Sequence, residues 1–109
     1  MDKIHIALST TQIEESVKDY TQRLSCAPCI HVLNEFALWR TETINLSIRN
    51  DPGSQTGTLR HLGWESNRTQ TFSSDTDVNG ILWESFNAQL QAEEINKAWS
   101  TANYHPKSN

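Results

Sequence analysis

The stretch Leu59-Arg60-His61-Leu62-Gly63-Trp64, set beside Lys3-Ile4-His5-Ile6-Ala7-Leu8, decides how this chain is read. Both are short apolar runs with a histidine inside, and both read as β-strands. Side chains alternate between the two faces of a strand. Ile4, Ile6 and Leu8 therefore share one face of the first run, and His5 and Ala7 share the other. On the second run His61 and Gly63 share a face. The residue two along from each histidine is small, which predicts room for a ligand beside each imidazole. A third run, Ile81-Leu82-Trp83-Glu84-Ser85-Phe86, carries Glu84 in the same kind of setting. Two histidines and a carboxylate on facing strands form the facial set that holds a divalent metal and leaves coordination positions open.

Between the first two runs the pattern predicts one helix and three strands. Thr11 and Glu14 have the spacing of a capping box. Ile13, Val17, Tyr20 and Leu24 follow at helical spacing as one apolar stripe, and Ala27-Pro28 stops the helix. Strands are expected near Ile30–Leu33, Phe36–Thr41 and Ile44–Arg49. The result is a β-α-β-β-β unit over residues 3–50, then a turn-rich linker over 51–58. The likeness of the His5 and His61 runs hints at a duplicated unit. Its second copy, residues 59–87, is much the shorter. No amphipathic helix fits between Trp64 and Ile81, and Asn67 to Ser74 reads as a short strand or loop. Asp77-Val78-Asn79-Gly80 is a tight turn. A closing helix over 88–102 carries Ala88, Ala92, Ile95, Trp99 and Ala102 on one face, and the tail from Asn103 is expected to fray.

The 109 residues make one small domain. Hydrophobic content is only 36%, so four Trp, three Phe and two Tyr must supply much of a thin core. Phe36, Trp39, Trp64, Trp83 and Trp99 are the expected core aromatics. The net charge of −4 argues against nucleic acid and anionic membranes as partners. No apolar run is long enough to span a bilayer and no secretory signal opens the chain. The default expectation is a soluble cytoplasmic protein. Cys26-Ala27-Pro28-Cys29 follows a helix C-terminus, where the dipole disfavours a thiolate, so a thioredoxin-like role is not expected. With His31 nearby the pair could take a soft metal or an arsenical; small buried side chains are the plainer alternative. Glu93-Glu94 reads as a solvated helix face.

Four segments together resemble the vicinal oxygen chelate superfamily, which includes glyoxalase I, bleomycin-resistance proteins and extradiol dioxygenases. Ile4-His5-Ile6-Ala7-Leu8 looks like its first metal strand. Ser16-Val17-Lys18-Asp19-Tyr20 with Leu24 is similar to its helix pattern. Leu59-Arg60-His61-Leu62-Gly63 is similar to the start of its second module. Asp77-Val78-Asn79-Gly80-Ile81-Leu82-Trp83-Glu84 resembles the turn and strand that end in its metal carboxylate. The runs Ile44–Ile48, Asp51–Ser54 and Thr58–Gly63 look closest to the branch of cadmium-induced and organoarsenical carbon–arsenic lyase proteins.

The resemblance implies an α+β fold with a curved mixed sheet, a complete first module, an abbreviated second one and a C-terminal helix. It implies metal ligation by His5, His61 and Glu84. Ala7, Asn45, Ser47, Arg49, Gly63, Leu82 and Phe86 would line the substrate cup. The chain departs from the family pattern in lacking a helix and two strands of the second module, and with them the cysteine pair of the organoarsenical lyases. Val78 and Ile81 replace the usual Pro and Asn of the turn. The last strand of the first unit offers Asn45, Ser47 and Arg49 where four-ligand members have a carboxylate. Three ligands suit Fe(II), Mn(II), Ni(II) or Zn(II), with Fe(II) favoured by the missing fourth.

The implied function is a metal-dependent dioxygenase or lyase acting on a small organic molecule. Competing with it are a non-catalytic protein that sequesters a small molecule in the same cup, and an inactive truncated relative. The lost strands should leave a sheet edge and an apolar face bare. A homodimer is therefore expected, with the C-terminal helix around Ile95 and Trp99 covering the gap in cis or across the interface and a partner supplying any wall still missing.

Overall fold

The computed structural model describes residues 2–107. Strand β1 (Lys3–Thr10) alternates as expected, but its polar face is the more buried. Lys3, His5, Ala7 and Ser9 are buried, whereas Ile4, Ile6 and Leu8 are only half-buried. The reason lies in what covers each face. Helix α1 (Ile13–Leu24) packs on one side of the sheet, here the outer face. Its stripe of Ile13, Val17, Tyr20 and Leu24 meets Leu8, Ala37, Trp39 and Ile48. Helix α2 (Ala88–Ala98) packs on the inner face, where Ala92, Ile95 and Trp99 meet Phe36, Leu38 and Tyr104.

After α1 come β2 (Ile30–Val32), β3 (Phe36–Arg40) and β4 (Ile44–Asn50). The second half contributes β5 (Leu59–Glu65), β6 (Ser73–Thr76) and β7 (Leu82–Phe86) before α2. All seven strands form one mixed sheet in the order β2-β3-β4-β1-β5-β7-β6. The α+β class, the mixed sheet and the closing helix are thus as the sequence predicts. Each histidine strand pairs in parallel with the last strand of its own half, β1 with β4 and β5 with β7, and the two halves join through antiparallel β1 and β5. The pairing scheme repeats even though the second half lacks a helix and a strand.

Several local expectations are corrected. Thr11 and Glu14 form no capping box. The N-cap is Gln12, without a side-chain cap. The Glu14 carboxylate instead accepts from the Asn34 N–H and from His31 Nε2, each at 2.8 Å. Two donors in the β2–β3 turn outcompete one backbone group. Helix α2 ends at Ala98, four residues early. Trp99 leaves the helical conformation while its N–H still bonds the Ile95 carbonyl. The tail does not fray at Asn103: Asn96 bonds both the N–H and the carbonyl of Tyr104, at 2.7 and 2.9 Å, and Tyr104 is buried. Trp64 is 44% exposed and so is not a core residue. It lies on the outer face, where β1, β5 and β7 present Ile4, Ile6, Leu62 and Trp83 with no helix over them. No helix among the described residues is long and apolar enough to cross a membrane.

Candidate metal centre

The three adjacent strands β1, β5 and β7 bring one candidate ligand each. His5 is paired across the sheet with Gly63, and Gly63 with Glu84. These three positions form a row on the inner face, with His61 two residues back along β5. His5 Nε2 lies 3.0 Å from His61 Nε2, and His61 Nε2 lies 3.1 Å from Glu84 Oε1. All three ligand atoms fall within 4.8 Å of one another. Donors held at about 2.1 Å from one ion, at right angles, stand about 3 Å apart. Both short separations match such an edge.

The protonation pattern supports ligation. Asn45 Nδ2 donates to Glu65 Oε1 at 2.8 Å, which turns Asn45 Oδ1 toward His5. His5 Nδ1 donates to that oxygen at 2.8 Å. The proton therefore sits on Nδ1, and Nε2 offers its lone pair to the site. Burial, only partly offset by the Asn45 bond, holds the His5 pKa below its ordinary value and keeps the ring neutral. For Glu84, burial pushes the pKa up, but the bond to His61 and the nearby positive groups outweigh it. The net shift is downward, so the group is a carboxylate. Two imidazoles and an anion thus converge, and a single His61 proton cannot serve both neighbours.

Behind His5 runs a buried hydrogen-bonded support. Arg40 grips Glu65 in a two-pronged ion pair at 2.7 and 3.0 Å, and both side chains are almost fully buried. Glu65 holds Asn45, and Gln91 of α2 pairs with the Asn45 amide at 2.8 and 3.1 Å. Carboxylate, amide and imidazole form a chain that fixes the ring's tautomer and direction, as outer-shell groups do around metal-bound histidines. The edge of His5 also meets Phe86, ring centroids 4.9 Å apart.

A cavity of about 270 Å³ opens over the triad. Of the expected cup residues, Ser47, Arg49 and Phe86 line it; Ala7, Asn45, Gly63 and Leu82 do not. Ala7 is completely buried. Asn45 is spent on positioning His5. Leu82 sits at the exposed start of β7. Gly63 does not make room for a ligand either. A Cβ there would lie 2.3 Å from the Glu84 carbonyl oxygen, so the missing side chain lets β7 approach β5. Arg60, Phe72 and the α2 residues Leu90, Gln91, Glu94, Ile95 and Trp99 also line the cavity. Helix α2 thus forms part of the cavity wall.

Arg60 carried no signal in the sequence, because strict alternation puts it on the face opposite His61. It is the extra residue of a β-bulge, with His61 opposite Ala7 and Leu59 opposite Leu8. A bulge re-aims a side chain in this way. Glu65 did carry a signal: it follows His61 and Gly63 on the same alternating face. Cys26 and Cys29 are free, one half-buried and one exposed, and His31 is taken by Glu14. Among the described residues, His5, His61 and Glu84 are the one group of three or more His, Cys, Asp or Glu side chains able to share an ion. A scan against protein-family models and a search of curated proteins give no match for this chain.

Proposed function

We propose that this chain is a divalent-metal protein of the vicinal oxygen chelate type that acts on a small organic molecule. The convergence of His5, His61 and Glu84 at about 3 Å spacing under a cavity carries the proposal. Three protein ligands on one side leave coordination positions facing the cavity, where Fe(II) would activate O₂ and a Lewis-acidic ion would polarise a bound oxygen. The chain's own part is to hold those ligands rigidly through the Arg40–Glu65–Asn45 support and to wall the cavity with α2. Fe(II) is the proposed physiological ion, with Mn(II), Ni(II) and Zn(II) as the other candidates.

The test is titration of Fe(II), Mn(II) and Ni(II) into the protein and into Glu84→Ala. One ion per chain, with affinity lost in the variant, is expected. Equal affinity in the two proteins, or no binding, would end the proposal. A second reading is favoured by α2 itself, which seats Leu90, Ile95 and Trp99 on the concave face and narrows the cavity. In that reading the protein binds a small molecule without turning it over. O₂ consumption by the Fe(II)-loaded protein with catecholic or organoarsenical substrates, abolished in His61→Ala, separates the two.

The proposal includes self-association. The bare outer strip of Ile4, Ile6, Leu62 and Trp64 occupies the position that α1 covers in the other half, and a second copy would bury it isologously. A homodimer in sedimentation at micromolar concentration is expected; a stable monomer would remove this part.

A further inference from the structure

We infer that the cavity selects a small organic acid, held by its oxyanion on the guanidiniums of Arg49 and Arg60. This rests on the site proposed above and names its substrate class. The chain has five arginines. Arg23, Arg40 and Arg68 are each paired with a carboxylate at 2.9 Å or less. Arg49 and Arg60 form no ion pair or hydrogen bond among the described residues, and both line the cavity.

Arg60 is half-buried and Arg49 exposed, and neither has a carboxylate within ion-pair distance among the described residues. The Asp51 carboxylate accepts from the Ser54 hydroxyl at 2.7 Å and forms no ion pair with Arg60. Glu84 belongs to the metal triad, and Glu94, which lines the cavity from α2, forms an ion pair with neither guanidinium. The Arg49 guanidinium carbon lies over the Trp99 ring, 5.0 Å from its centroid. No carboxylate pairs with its N–H donors among the described residues, and a guanidinium edge can grip a carboxylate or phosphonate in two-pronged fashion. With a divalent ion bound, the cavity carries net positive charge. Beside Ser47, Gln91 and Glu94, its remaining lining is apolar, with the flat rings of Phe36, Phe72, Phe86 and Trp99. An oxyanion on a small apolar body, one aromatic ring in size, satisfies all of these features.

The test uses the whole chain, first without metal. Benzoate, phenylphosphonate and the neutral benzamide are titrated calorimetrically into the protein, into Arg60→Gln and into Arg49→Gln, with folding checked by circular dichroism. At least one of the anions should bind about tenfold tighter than benzamide. Each folded variant should lose about tenfold for that anion and nothing for benzamide. The preferred anion distinguishes a carboxylate from a phosphonate substrate. Equal affinity for anions and benzamide, or anion affinity unchanged in a folded variant, overturns the inference. Should both variants fail to fold, the comparison in the unaltered protein, with its loss of anion binding at high salt, still decides. A protein that binds metal but does not discriminate benzoate from benzamide refutes the acid subsite alone. Arginine-dependent anion binding without metal affinity refutes the metal site alone.

Discussion

The two halves of this sheet share a pairing scheme but are covered differently. The first half is sandwiched, with α1 on its outer face and α2 on its inner face. The second half has no helix on its outer face, and its edge strand β6 is fully exposed. Two of the three candidate ligands, His61 and Glu84, nevertheless belong to this thinner half. A metal site of this kind needs only neighbouring strands in register and a rigid support. In this chain the support spans both halves, from Arg40 on β3 and Asn45 on β4 to Glu65 on β5 and Gln91 on α2. Stability and ligand geometry can each be tested by their own substitutions.

The largest effect belongs to the sandwiched half. Trp39 is fully buried between α1 and the sheet, its ring tilted against that of Tyr20 with centroids 5.6 Å apart. Trp39→Ala should cost about 3–5 kcal/mol in chemical denaturation, because a cavity of that size cannot close. A loss below about 1 kcal/mol would mean that the first half is not the stability core.

The support behind His5 is tested at Asn45, which also joins β4 to Glu65 on β5. Asn45→Leu leaves the His5 Nδ1–H, Glu65 and Gln91 without their shared partner. Metal affinity should fall about 10–100-fold although no ligand is altered. Calorimetric titration with Mn(II) gives the number. An unchanged affinity would mean that the strands alone hold the imidazole.

The joint between β5 and β7 is next. Gly63→Ala puts a methyl group against the Glu84 backbone, and backbone cannot swing aside as a side-chain tip can. A destabilisation of about 1–3 kcal/mol is expected, together with weaker metal binding because Glu84 must move. Full stability in the alanine variant would show that β7 is free to shift.

How far the sequence revealed this arrangement follows from the physics of each part. The triad was legible because period-2 alternation carries each ligand to a definite face and neighbouring strands preserve it. The α1 stripe was legible for the corresponding reason at helical spacing. Arg60 was not, because a bulge breaks alternation and leaves no mark in residue type. Gly63 was noticed for its size, but only the packing of β7 shows what that size is for. The capping box failed because Glu14 had a longer-range partner in Asn34, and local spacing contains no information about that turn. The tail was misjudged for the same reason: Asn96 holds Tyr104 across a gap that no periodicity marks.

The buried ion pair behind the site makes a smaller, pH-dependent contribution. Burial alone would raise the Glu65 pKa, but Arg40 and Asn45 bring it below its ordinary value of 4.5. A carboxylate depressed in the folded state stabilises the fold above its unfolded pKa, and the contribution is lost as pH falls through the folded value. Acid unfolding should therefore show a shallower slope below about pH 4.5 in Glu65→Gln than in the unaltered protein, whatever the offset between them. Parallel curves would mean that Glu65 titrates alike in both states.

The smallest expected effect is at the second tryptophan of the comparison. Trp64 lies on the face that has no helix, and 44% of it is exposed. It pairs with Ile4 across β1 and flanks Ser85 on β7, so its indole covers strands but fills no cavity. Trp64→Gln should change the stability of the isolated chain by no more than about 0.5 kcal/mol, against several for Trp39→Ala. If the bare face is where a second copy docks, the same substitution should shift sedimentation from dimer to monomer, because an exposed tryptophan is the kind of anchor that interfaces rely on. A loss of 3 kcal/mol or more in the monomer would place Trp64 in a core, and the contrast between a sandwiched and a half-covered region would then have to be withdrawn.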